Sequence, residues 1–183
     1  MPIATVDDLR TAQRVLCYGV TGAGKSTAAR ELGGRLGLPV HLVDDEIGWL
    51  PGWVERSVPE QREIAARLVA GDRWVLDSAY GHWRDLVLPR SQVVLALDLP
   101  GWLSLARLVR RSLHRVLTRQ EQCNGNVETW RKLLSRDSIL CWHFRSFDNK
   151  QRRMRAMEAA PDGPLVLRVG SARELRKVLE GLG

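Results

Sequence analysis

The stretch Gly19-Val20-Thr21-Gly22-Ala23-Gly24-Lys25-Ser26 has the form G-x-x-x-x-G-K-[ST]. It follows the apolar run Val15-Leu16-Cys17-Tyr18 and precedes the helix-forming stretch Thr27-Ala28-Ala29-Arg30-Glu31-Leu32. Strand, glycine-rich turn and helix in that order distinguish a phosphate loop from a chance match. The glycines let successive backbone N–H groups turn inward around a polyphosphate, and the helix N-terminus behind them adds partial positive charge. The motif predicts a nucleoside triphosphate site lined by Gly19, Thr21, Gly22, Ala23, Gly24, Lys25, Ser26 and Thr27. Lys25 is placed to reach the β- and γ-phosphates, and the Ser26 hydroxyl to ligate Mg²⁺.

Elements on either side alternate as in a parallel α/β sheet. Gly37 and Pro39 separate the loop's helix from a short strand, Val40-His41-Leu42-Val43, that ends at Asp44-Asp45. A loop rich in Gly, Pro and Trp (48–53) leads to a helix capped by Ser57, with Pro59 and Glu60 in its first turn and Gly71 as its stop. Strands at 73–76 and 92–97 deliver Asp77 and Asp98 at their carboxyl ends, and Pro100 opens a long helix, mixing leucines with arginines, that Asp98 is expected to cap. A polar break at 120–126, helical stretches at 127–136 and 138–159, a strand at 165–169 and a helix from Ser171 to Leu179 complete the chain. The expectation is one domain, 1–183, a three-layer α/β/α sandwich around a five-stranded parallel sheet, with 112–160 as a helical lid-like insertion. Ligands of open parallel sheets gather outside the carboxyl ends of the strands, where the loop, Asp45, Asp77 and Asp98 all fall.

Composition narrows the class without deciding it. A chain of 183 residues, 44% hydrophobic and 27% charged, is long enough to bury a core. No apolar run reaches the roughly 20 residues needed to span a bilayer, and the acidic opening residues carry no apolar signal core, so a cytoplasmic location without membrane attachment is expected. Cys17, Cys123 and Cys141 form neither a C-x-x-C nor a zinc spacing, consistent with a reducing compartment and no structural metal. The net charge of +7 gathers after residue 100, at Arg107, Arg110, Arg111, Arg115 and Arg119, then from Arg145 to Arg155. Such charge suits either nucleic acid or two polyanionic small substrates, and no nucleic-acid-binding signature accompanies it. A GTPase is excluded by motif. Arg152 replaces the required aspartate in Asn149-Lys150-Gln151-Arg152, and Asp45-Glu46-Ile47-Gly48 follows Lys25 too closely to leave room for a switch region.

Asp98-Leu99-Pro100 followed by Arg107 and Arg111 resembles the D-[VL]-P turn and R-x-x-x-R helix of adenylate kinases. The resemblance implies that Arg107 lies against the adenine and Arg111 contacts phosphates. It also implies that Asp77, in Trp74-Val75-Leu76-Asp77, orients the Mg²⁺ shell through water, and that the turn Val169-Gly170-Ser171 contacts adenine through the backbone of Gly170. The chain is similar, more closely, to the bacterial topology-modulation (FlaR-like) proteins over about residues 15–180. The likeness lies in His41-Leu42-Val43-Asp44-Asp45 with Trp49-Leu50-Pro51-Gly52-Trp53, in Asp77-Ser78-Ala79-Tyr80, and in Gly125-Asn126-Val127-Glu128-Thr129. An extra residue precedes Asp45, so Asp44 and Asp45 both remain candidates for the family's acidic position, the spacing to Trp49 favouring Asp45. The D-G-N-Y segment lacks its Asn here, and the long adenylate kinase lid is replaced by a short insertion, so specificity for AMP does not carry across.

Phosphoryl transfer needs charge neutralisation and in-line positioning more than covalent chemistry. Lys25, Arg107 and Arg111 supply positive charge, ATP and Mg²⁺ are the implied cofactors, and Asp45 is the candidate to orient an acceptor hydroxyl. The expected partner is a small-molecule or nucleotide phosphate acceptor. Nucleic acid is the less favoured alternative, and DNA binding by charge alone should vanish at moderate salt without sequence preference; retention with a preference, in a salt titration, would favour it.

Overall fold

The computed structural model describes residues 3–183. Its main elements are α1 (Val6–Thr11), β1 (Arg14–Gly19), α2 (Lys25–Leu36), β2 (Val40–His41), α3 (Val58–Ala70), β3 (Trp74–Leu76), β4 (Val93–Leu97), α4 (Gly101–Thr118), α5 (Ile139–Ala159), β5 (Leu165–Val169) and α6 (Ala172–Glu180). The five strands form one parallel sheet in the order β2-β3-β1-β4-β5, with the strand that feeds the phosphate loop at its centre. The α/β architecture and the five-stranded parallel sheet follow the expectation from sequence.

Both faces of the sheet are covered, and the period-two alternation of strand side chains divides the core. Val15, Cys17, Val75, Val93, Leu95 and Leu97 pack with Leu9 of α1, Ala28, Ala29 and Leu32 of α2, and Val178 and Leu179 of α6. Leu16, Tyr18, Trp74, Leu76, Val94 and Ala96 pack on the other side with Ala65 and Val69 of α3 and with Met154 and Met157 of α5. Burial in this first layer pushes the Cys17 thiol far above its usual range, so it behaves as a small core residue. The helix ends use the expected chemistry: Ser57 and Glu60 form a reciprocal capping box on α3, as Thr5 and Asp8 do on α1.

Three local expectations are corrected. The second strand stops at His41 instead of running to Val43. There the Val43 N–H is drawn to Asp77 Oδ1 (2.9 Å), Leu42 N–H to Glu46 Oε1 (3.1 Å), and the chain winds into a π-helical turn, Asp44–Gly48. The stretch 127–136 is helical only over Trp130–Leu133, because Asn126–Val127 pairs antiparallel with Glu121–Gln122 as a hairpin. Asp98 does not cap the helix after Pro100. Its carboxylate instead accepts from Gln151 Nε2 (2.9 Å) and Arg168 Nη1 (3.3 Å), tying β4 to α5 and β5. Trp49–Leu50 and Val54–Glu55 form a second small hairpin in the Gly/Pro/Trp loop.

Among the described residues no helix is long and apolar enough to cross a membrane. Leu95, fully buried on β4, tests the core: Leu95→Ala should lower unfolding free energy by about 2–5 kcal/mol. Denaturant titration checks this, and a loss below 1 kcal/mol would mean the sheet's centre is far less tightly packed.

Candidate active site

The phosphate loop leaves β1 at Gly19 and enters α2 at Lys25. Gly24 caps that helix at φ 97°, and a Cβ there would come within 4.0 Å of Arg107 Nη1. A Cβ at Gly22 (φ 85°) would meet the Ser104 carbonyl oxygen at 2.3 Å. The loop is thus pressed onto α4 where only glycine fits, and that contact brings Arg107 beside it. Lys25 is largely buried and its Nζ donates to Val20 O (3.1 Å) across the loop. Burial lowers its pKa while the carboxylates of Asp77 and Asp44 oppose the shift.

Ser26 Oγ donates to Asp77 Oδ2 at 2.6 Å. Asp77 is 5% exposed, and its other oxygen holds Val43 N–H, so β3 pins the loop's helix and the π-turn together. Burial raises the Asp77 pKa, with both hydrogen bonds pulling it back. A hydroxyl and a carboxylate oxygen paired at the mouth of a phosphate loop are hard oxygen donors of the type Mg²⁺ takes, so the residues present fit that ion.

The two neighbouring aspartates separate in the fold. Asp44 accepts from Tyr80 Oη and its charge acts on Lys25, Asp77, Arg111 and Lys150. Asp45 lies against the Cys123 thiol, and its carbonyl is held by Asn124 Nδ2 (2.6 Å). Of the two, Asp44 is the one whose charge acts on Lys25 of the phosphate loop, where the spacing to Trp49 favoured Asp45. The two side chains part within the π-helical turn, Asp44 toward Tyr80 and Asp45 toward Cys123. Arg111 has its pKa lowered, first by burial and then by Arg115, while Glu128 and Asp44 offset this. Thr27 is exposed on the first turn of α2. Gly170 lies past the end of β5, and its N–H is already donated to Glu174 Oε2 (2.7 Å).

Several contributors escaped sequence reading. The hairpin at 121–127 is latched onto the 44–53 segment: Asn126 Oδ1 accepts from Trp53 N (2.6 Å), Asn126 Nδ2 donates to Leu50 O (2.9 Å), and Asn124 Nδ2 also reaches Trp49 O (2.6 Å). Lys132 stands 3.6 Å from the Trp53 ring centroid, a cation–π contact across the same seam. On α5, His143 is buried and its Nδ1 donates to Thr21 O (3.1 Å), bracing the loop from above. No local pattern marks these pairs; the G-N-x-E-T resemblance was the nearest signal.

No known family model matches the sequence. One curated relative, the uncharacterized protein YqaC of Bacillus subtilis (strain 168), is 31% identical over 99 residues, 53% of this chain and 55% of the relative. The chain thus spans about half the length of the curated relative it matches. Among solved structures, shikimate kinase from Acinetobacter baumannii in complex with shikimate aligns over 97% of this chain and 94% of its own (TM-score 0.58, 16% identity). Deoxyadenosine kinase from M. mycoides covers 92% and 96% (TM-score 0.52, 12% identity). A gluconokinase from Sinorhizobium meliloti 1021 covers 92% and 90% (TM-score 0.51, 15% identity). At these identities the likeness is one of fold.

The latch yields a test. Asn126, 3% exposed, bonds both sides of the seam, so Asn126→Ala should cost about 1–3 kcal/mol and speed hydrogen exchange over residues 49–55. Unchanged exchange there would mean the hairpin does not brace that segment.

Proposed function

We propose that this chain is an ATP-dependent phosphotransferase of the adenylate-kinase-like kind, passing a terminal phosphoryl group to a small hydroxyl-bearing or nucleotide acceptor. The observation that carries the reading is the convergence of Lys25, the Ser26–Asp77 pair and Asp44 at the carboxyl ends of β1, β3 and the turn after β2. ATP bound with Mg²⁺ supplies the phosphoryl group and a metal that offsets its charge. Ser26 and Asp77 would hold that ion, and Lys25, released from Val20 O, would turn its ammonium to the phosphates. Arg107 and Arg111 add charge from α4. Arg107 is the residue for the base side of the nucleotide, joined by Gly170 through its carbonyl, since its N–H is engaged.

Asp44 takes the acceptor role. Its carboxylate lies within electrostatic reach of Lys25, where the transferring group would sit, and Tyr80 Oη fixes its orientation. A carboxylate there suits a hydroxyl, which must be oriented and relieved of its proton, better than an anionic phosphate. Asp45, turned to Cys123, supports the wall through its carbonyl. The kinase fold shared with proteins named for shikimate, deoxyadenosine and gluconate is consistent with this reading and leaves the acceptor open.

The deciding experiment is ADP formation from MgATP across nucleoside monophosphates, nucleosides, sugars, hydroxy acids and single-stranded DNA. Turnover dependent on one small acceptor supports the proposal. Stimulation by DNA alone, or tight ATP binding with no turnover, overturns it in favour of a nucleic-acid-associated ATPase or an ATP-binding regulator. With an acceptor in hand, Lys25→Ala should abolish transfer. Asp44→Asn should lower kcat by about 10²–10⁴ with ATP affinity little changed, and Asp45→Asn far less. The reverse ranking would return the acceptor role to Asp45.

A further inference from the structure

Helix α5 carries a stripe of inward residues at spacings of four and three: His143, Phe147, Lys150, Met154 and Met157. Every other member of the stripe has a packing reason. His143 bonds the Thr21 carbonyl, Phe147 lies under Gly101, and Met154 and Met157 join the core beneath Leu16 and Tyr18. Lys150 has none. Its side chain is mostly buried and makes no hydrogen bond or ion pair among the described residues. The charges that face it are Lys25 from the phosphate loop, Arg153 from its own helix and Asp44 from the π-turn. A cation set into an inward helix face beside two like charges is costly unless an anion joins it.

We propose that Lys150 is a second phosphate-binding lysine, which meets the terminal phosphate of a nucleoside triphosphate seated in the loop alongside Lys25. This rests on the nucleotide-binding part of the function proposed above and assigns a residue to it that neither motif nor resemblance contains. Burial first, then Lys25, holds the Lys150 pKa down to about 7, with Asp44 opposing and Arg153 adding to the shift. The amine is therefore largely neutral at slightly alkaline pH, and an arriving phosphate anion raises its pKa and draws a proton from solvent. Below the free-state pKa the lysine is already charged, and binding takes up none.

The test is titration calorimetry of the full chain with MgATP and with MgADP, in two buffers of different ionisation enthalpy. At about pH 8 wild type should take up close to one proton with MgATP and little with MgADP. Lys150→Arg, charged at every working pH, should bind MgATP without that uptake. Lys150→Met, compatible with the apolar stripe, should lose the uptake and bind MgATP about tenfold more weakly at about pH 6. Equal proton counts in wild type and Lys150→Met, or equal uptake with MgADP, would overturn the assignment while leaving nucleotide binding intact. Absence of MgATP binding by wild type would overturn both.

Discussion

The press of the phosphate loop against α4 is the constraint on which the rest of the site depends. At Gly22 the loop backbone approaches the Ser104 carbonyl so closely that no side chain fits. Interiors packed this densely transmit position rather than absorb it. The contact fixes where α4 starts relative to β1, and so places Arg107 at Gly24 and sends Arg111 toward the Asp44 side. From the opposite flank, Asp77 couples β3 to both α2 and the π-turn through two hydrogen bonds from one carboxylate. The loop is held between two backbones before any ligand arrives, which lowers the ordering that a bound polyphosphate must impose.

Electrostatically the site is unbalanced. Lys25, Arg111 and Lys150 all have their charged forms disfavoured, by burial first in each case. Asp44 acts on all three, Asp77 on Lys25 and Glu128 on Arg111, too little negative charge to offset burial. An interior that strains several cations in one place is poised for a polyanion, because each cation recovers stability when the anion enters. That imbalance is a better guide to ligand class than the net charge of +7, most of which is spread over exposed arginines.

The parts of this arrangement legible in the sequence were those written in local order. The apolar runs feeding Gly19, Asp77 and Asp98 carry strand periodicity, and the phosphate loop carries its own spacing, so sheet, loop and the Ser26–Asp77 meeting could be anticipated. Residues 40–48 read as a strand ending in a loop because Val40-His41-Leu42-Val43 is apolar enough. The turn is decided instead by Asp77, thirty-four positions away, which captures the Val43 N–H. The Asn124 and Asn126 bonds join segments separated by 73 to 79 residues, and nothing in either segment alone specifies the other. Lys150 was hidden differently. It sat in a failed guanine motif and a basic run, and only the helix's inward stripe separates it from Arg152 and Arg155, which face solvent.

The seam between the hairpin at 121–127 and the segment at 44–53 ties the order of the π-turn to that of a hairpin far along the chain. Two walls joined by four side-chain hydrogen bonds at a pair of asparagines gain and lose order together. Loosening either wall therefore loosens the other. Substitutions at the asparagine tip would soften the turn that carries Asp44 without touching the phosphate loop, so the rigidity of that carboxylate is set about eighty positions along the chain.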